Sequence, residues 1–155
     1  MTTPVADRAA LAAALNEDLA REYQAVIAYV VYSQVLKGPE YMAIARELEV
    51  HAGEELQHAL MIAKQIDYLG GQPGVVPKPV KAVTEPKAIL RADLDNEVDT
   101  IRNYRQRVVQ SEAIGEFAIA EEIREILRQE QEHLIDLATA LGIEVPAIDG
   151  PRRRA

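Results

Sequence analysis

Apolar residues recur along this chain at steps of three and four, the period of helices that each bury one face. One stripe reads Leu15, Leu19, Glu22, Val26, Tyr29, Ser33, Leu36, and a second reads Leu48, Ala52, Glu55, Ala59, Ile62, Ile66. A third runs Leu90, Leu94, Glu97, Ile101, Tyr104, Val108, and a fourth Ile123, Leu127, Glu130, Leu134, Leu137, Leu141. Turn residues separate them. The pattern predicts a first helix from about Asp7 to Leu36, stopped by Lys37–Pro39. A second starts around Pro39, where proline suits a first helical turn, and ends at Leu69–Gly71. Residues 70–85, GGQPGVVPKPVKAVTE, hold three prolines and three glycines and read as an extended loop. A third helix opens near Thr84–Pro86 and runs to about Gln110, and after a short break at Ser111–Gly115 a fourth runs to Leu141–Gly142.

Helices of roughly 26–31 residues are about 40–45 Å long. The loop, fully extended, reaches about 53 Å, enough to cross a bundle from end to end. The other two connections are short and make antiparallel hairpins. The expected fold is therefore all-α: a four-helix bundle of two antiparallel hairpins joined by a long crossover loop. Residues 1–141 form the bundle, and 142–155 an irregular C-terminal tail.

Composition narrows the function. The chain has 155 residues and no cysteine, which excludes disulfides, thiolate zinc sites and iron–sulfur clusters. A formal net charge of −8 argues against a nucleic-acid partner and favours cations. No run of 18 apolar residues suggests a membrane span. The start, MTTPVADRAALAAAL, lacks the basic region of a signal peptide, so a cytoplasmic location is expected.

The stripes contain a surprise: each carries one glutamate near its middle. The second and fourth add a histidine three residues on, His58 and His133. The two halves of the chain repeat the pattern. Glu22 and Glu55 are 33 residues apart, as are Glu97 and Glu130, and Tyr29 and Tyr104 each follow the first glutamate by seven. A lone glutamate on a helix is usually solvated, but four in four apolar stripes must meet in one core. Two carboxylates about 5 Å apart repel by roughly 3 kcal/mol even at an effective dielectric near 20. No Lys or Arg lies in the stripes beside them, so their pKa values are expected to rise and compensating charge is expected from outside. Two divalent ions would balance four carboxylates and two neutral imidazoles. Glutamate and a histidine three residues later share a helix face. Two such pairs plus two further glutamates match the inward-facing site of di-iron and di-manganese bundles, and oxygen-rich ligation suits Fe or Mn better than zinc. Glu22, Glu55, His58, Glu97, Glu130 and His133 are thus the candidate metal and catalytic residues.

With EELQHA, LRADLDNE and EILRQEQEH, the chain resembles the ferritin-like superfamily, and most of all the bacterioferritins, over about residues 8–141. That resemblance implies a ferritin-like bundle with two Fe ions per chain, Mn being possible. Glu22 and His58 would cap one metal, Glu97 and His133 the other, and Glu55 and Glu130 would bridge. It implies ferroxidase chemistry: Fe(II) is oxidised by O2 or peroxide for iron storage or detoxification. Two features depart from bacterioferritins. Leu56 stands where they place a haem-ligating methionine, and Met42 and Met61 are out of place, so no haem is expected. The tail, with Pro146, Gly150 and Pro151, does not read as their fifth helix, which leaves a homo-oligomer open between dimer and larger shell.

The rival reading is a di-iron or di-manganese peroxidase similar to rubrerythrins and acting as a dimer. Those enzymes carry a further glutamate where this chain has Leu94, and often a cysteine-ligated domain that is absent here. A DNA-protecting mini-ferritin fits less well, because its site lies between subunits. Three smaller features complete the reading. Tyr29 and Tyr104 are expected to hydrogen-bond ligand carboxylates. His51, one turn before Glu55, reads as a surface or site-supporting histidine ahead of a transit or third-metal ligand. Arg152–Arg154 reads as a solvated tail.

Overall fold

Each predicted stripe lies on its own helix in the structure, a computed structural model that describes residues 4–148, with side chains from residue 8. The helices are α1 (Pro4–Val35), α2 (Met42–Tyr68), α3 (Pro86–Ala113) and α4 (Phe117–Leu141). α1 pairs with α2 and α3 with α4 as hairpins, and the hairpins meet through α1 against α3 and α2 against α4. No described helix is long and apolar enough to cross a membrane. Arg152–Arg154 lies outside the described residues.

The boundaries follow local chemistry. α1 reaches back to Pro4, the first described residue, ahead of the predicted Asp7. Pro39–Tyr41 form a 3-10 turn, so α2 proper begins at Met42 rather than Pro39. α3 outlasts its predicted end at Gln110. Ser111 is fully buried, its carbonyl accepts the Glu116 N–H at 2.9 Å, and the chain reverses at Gly115, whose φ is 82°. Glu85 caps α3 by accepting from the Lys87 and Ala88 N–H groups. Gly142, in the left-handed region, closes α4.

The crossover is a strap tied along α1. Asn16 exchanges hydrogen bonds with the Gln72 carbonyl and the Gly74 N–H, and the Lys78 N–H donates to the Ala20 carbonyl. Tyr23, Gln24 and Tyr32 donate in turn to the carbonyls of Gly74, Pro79 and Lys81. These bonds give an irregular segment the polar partners that sheets and helices supply elsewhere. Residues 143–148 are irregular yet not loose: Ile148 is buried and its carbonyl accepts from Arg102.

The apolar core comes in two parts. One gathers Tyr32, Leu48, Leu90, Leu94, Leu134 and Leu137, the other Leu15, Leu19, Ile62, Ile66, Ile119 and Ile123. Between them lies a polar layer at the middle of all four helices.

Candidate metal centre

Helix periodicity alone turns the six candidate residues inward, and the antiparallel pairing brings them level. Glu22 comes from α1, Glu55 and His58 from α2, Glu97 from α3, and Glu130 and His133 from α4; none is more than 3% exposed. They form two groups whose donor atoms lie within 4.8 Å of one another. Glu22, Glu55, His58 and Glu130 make one, and Glu55, Glu97, Glu130 and His133 the other. Glu55 and Glu130 are shared. His58 Nδ1 is 2.9 Å from Glu130 and 3.3 Å from Glu55, and His133 Nδ1 is 2.8 Å from Glu55 and 3.4 Å from Glu130.

The tyrosines hydrogen-bond carboxylates crosswise. Tyr29 on α1 donates to Glu97 on α3 at 2.5 Å, and Tyr104 on α3 donates to Glu22 on α1. The repeat in the sequence has become an approximate two-fold relation in space. It extends to the outer histidine nitrogens. His58 Nε2 meets the Gln129 side-chain oxygen at 2.5 Å, while His133 Nε2 faces Glu54 at 3.5 Å. Gln129 follows Glu54 by the same interval that separates Glu130 from Glu55. The two halves therefore differ at this point: a neutral amide backs one imidazole and a carboxylate the other.

His51 is not on the surface. It is 1% exposed, its ring stacks on His133 at 3.9 Å, and its Nε2 contacts Asp136 at 3.0 Å. Burial pulls its pKa down to about 4, assisted by the neighbouring His133, so the imidazole is neutral. With exposed Glu47 and half-buried Asp136 it makes a third, looser group of potential donors.

Other buried polar residues escaped the stripes. Arg107, one turn past Tyr104, is buried and donates to Asp18 at 2.8 Å, with Arg21 on the other Asp18 oxygen at 3.0 Å. Arg107 lies outside the traced stripes and pairs with Asp18 rather than with the four glutamates. Asp18 and Asp93, both 2% exposed, precede Glu22 and Glu97 by four residues. A duplicated Asp-x3-Glu was the available signal.

Electrostatics also corrects the expectation of four raised carboxylates. Burial, then Glu130 and Glu22, drives Glu55 well up, and burial with Glu130 raises Glu97 to about 8. Burial would raise Glu130 too, but contacts with Glu97, His133 and His58 outweigh it and hold the group at about 2. Glu22 is lowered in the same way: burial is outweighed by Glu55, His58 and Tyr104. The histidines lose stability as cations by burial, yet the carboxylates around them raise His133 to about 11 and His58 further. These directions favour protons on both imidazoles and on Glu55 and Glu97 in the metal-free layer.

The donor set fits two divalent cations. Glu22 Oε2, Glu55 Oε1, Glu97 Oε2 and Glu130 Oε2 are buried without hydrogen-bond partners, as are both His133 ring nitrogens. His133 Nδ1 stands close to Glu55 Oε1 without the alignment of a hydrogen bond. Carboxylate oxygens that converge without hydrogen-bond partners are what a cation satisfies. Three carboxylates and one imidazole per group suit Fe or Mn.

Known proteins place this geometry. A bacterioferritin of Desulfovibrio desulfuricans is 31% identical over 122 residues, covering 77% of this chain and 68% of that protein. A solved structure of that organism's bacterioferritin, described as showing the diiron site in different catalytic states, superposes with a TM-score of 0.84 at 25% identity, over 92% of this chain and 84% of the other. A ferritin-like, diiron-carboxylate protein of Bacillus anthracis str. Ames gives the same TM-score at 28% identity, over 91% of this chain and 99% of its own. The family model of the ferritin-like domain matches residues 12–144, and the chain belongs to that family.

Proposed function

We propose that the chain is a haem-free di-iron ferroxidase that oxidises Fe(II) to Fe(III), with O2 or peroxide as electron acceptor, for iron storage or detoxification. The observation that carries this reading is the pair of four-donor groups sharing Glu55 and Glu130. Glu22 and His58 would hold one ion, Glu97 and His133 the other, with Glu55 and Glu130 between them. Bound iron supplies the one-electron chemistry. The chain's own contribution is to position and to shield: Tyr104 and Tyr29 fix the Glu22 and Glu97 carboxylates, and Gln129 and Glu54 orient the histidines. Apolar clusters flank the layer on both sides.

Leu56 supports the haem-free part of the reading: at the methionine position it is exposed, while Met61 packs into the core and Met42 is exposed. Exposed apolar residues on α1 (Ile27, Val30, Val31) and α2 (Leu56, Leu60) suit a homo-oligomer contact. The second reading, a rubrerythrin-like di-iron or di-manganese peroxidase acting as a dimer, would use the same six ligands and the same contact.

The test is anaerobic Fe(II) loading followed by O2 or peroxide, with elemental analysis, Fe(III) absorbance and solution mass. Two ions per chain, continued Fe(II) oxidation beyond them and a large assembly support storage. A dimer that reduces peroxide without accumulating Fe(III) supports the second reading. Failure to bind metal, or a Glu130→Ala variant that oxidises Fe(II) like the wild type, overturns both.

A further inference from the structure

Asp93 is a buried carboxylate that the six-residue centre does not use. It sits one turn before Glu97 on the same face of α3, is 2% exposed, and its Oδ2 has no hydrogen-bond partner. Its counterpart in the repeat, Asp18, is equally buried but neutralised by Arg107 and Arg21. The residues that match those arginines in the other half are Tyr32 and Asn96. Tyr32 spends its hydroxyl on the Lys81 carbonyl. One half of the bundle therefore closes around its aspartate with two cations, and the other leaves the equivalent carboxylate without one.

The unpaired aspartate lines a cavity. A cavity of about 240 Å³ lies between α1, α3 and the crossover. Buried Glu22, Glu55 and Glu97 line its inner end, exposed Pro79 and Asp99 line its outer end, and Asp93 lines it as well. The volume is several times the roughly 30 Å³ that one water occupies. The other charged side chains that line it outside the centre are already matched: Arg21 by Asp18, Lys78 by Glu17 and Asp99 by Arg102. Burying a carboxylate without a cation is costly. A purely structural acid would donate its proton to a neighbour, and Asp93 Oδ2 has none.

We propose that Asp93 is a cation-binding way station outside the dinuclear centre, which takes a divalent metal ion from the cavity beneath the crossover and passes it to the Glu97 side of the centre. The proposal rests on the six-residue metal centre and adds to it a route and a fifth carboxylate. Asp93 keeps its role whether the centre stores iron or reduces peroxide, because either activity must be filled with metal from solution.

The test uses the full chain, without oxygen, and Co(II) as the probe, followed by visible absorbance in a stopped-flow instrument and by equilibrium titration. Asp93→Asn keeps the shape and removes the carboxylate that a cation would bind. It is expected to slow filling at sub-saturating Co(II) by about tenfold, the low end of what a focused charge adds to an association rate. The final Co(II) count and the final spectrum should match the wild type, and Asp93→Glu should recover most of the rate. Asp93→Asn filling at the wild-type rate overturns the proposal. So does an altered final spectrum, which would make Asp93 part of the centre itself. Asp93→Glu as slow as Asp93→Asn also overturns it, since packing rather than charge would then set the rate. A wild-type chain that takes up no Co(II) at all refutes the metal centre instead, a result distinguishable from each of these.

Discussion

Metal loading should release protons, and the structure gives the number. At pH 7 the metal-free layer holds one proton on each imidazole, since His133 titrates near 11 and His58 higher. It holds two more on Glu55, raised well above its ordinary value, and on Glu97, at about 8. Two divalent cations bring four positive charges and displace those four protons, so the net charge of the layer is unchanged. Each proton is worth about 1.4 kcal/mol per pH unit, so loading both ions should strengthen by about 5 kcal/mol per unit below pH 8. Anaerobic titration with Mn(II) or Co(II) in weakly buffered indicator solution counts the protons directly. Calorimetry in two buffers of different ionisation enthalpy checks the count. Exposed carboxylates are ionised at pH 7 and release nothing when they bind a cation. Two ions bound with no proton release would therefore place the metal on the surface and refute the reasoning.

The same titrations act on folding. Glu97 binds its proton more tightly folded than unfolded, so metal-free stability should fall as pH rises from about 4.5 to 8; the stabilising protonation of His133, intact below 6.5, should be lost on the way to about 11. Metal-free protein should melt higher at pH 6 than at pH 8, and the rise in Tm on adding metal should be larger at pH 8; thermal melts decide both. Arg107→Ala leaves Asp18 buried beside a lost partner and should cost about 3–5 kcal/mol in denaturant unfolding, with the metal count unchanged. Glu54→Gln makes the outer partners of the two histidines alike, and should weaken one of the two metal-binding steps by about 10–100-fold in a Co(II) titration.

Helix periodicity and the internal repeat were enough to predict four helices, the crossover between two hairpins, and the six residues that meet in the middle layer. Those features are local: the face on which a side chain lies follows from its position in a 3.6-residue turn. The sequence stripes were narrower than the faces the bundle buries. Asp18, Asp93 and Arg107 lie beside the traced steps and were missed, and His51 was left open between the surface and a supporting place beside the site, although all four are buried. Partnership was not local at all. Tyr29 reaches Glu97, and Tyr104 reaches Glu22, only because α1 and α3 run antiparallel with those residues level. The protonation of the layer was likewise a tertiary matter. Like charge alone predicts four raised carboxylates, but hydrogen bonds with Glu55 and Glu97, joined by those of the two histidines, hold Glu22 and Glu130 low. A one-dimensional pattern records which groups a helix turns inward; which charge faces which is set by how the helices are laid against one another.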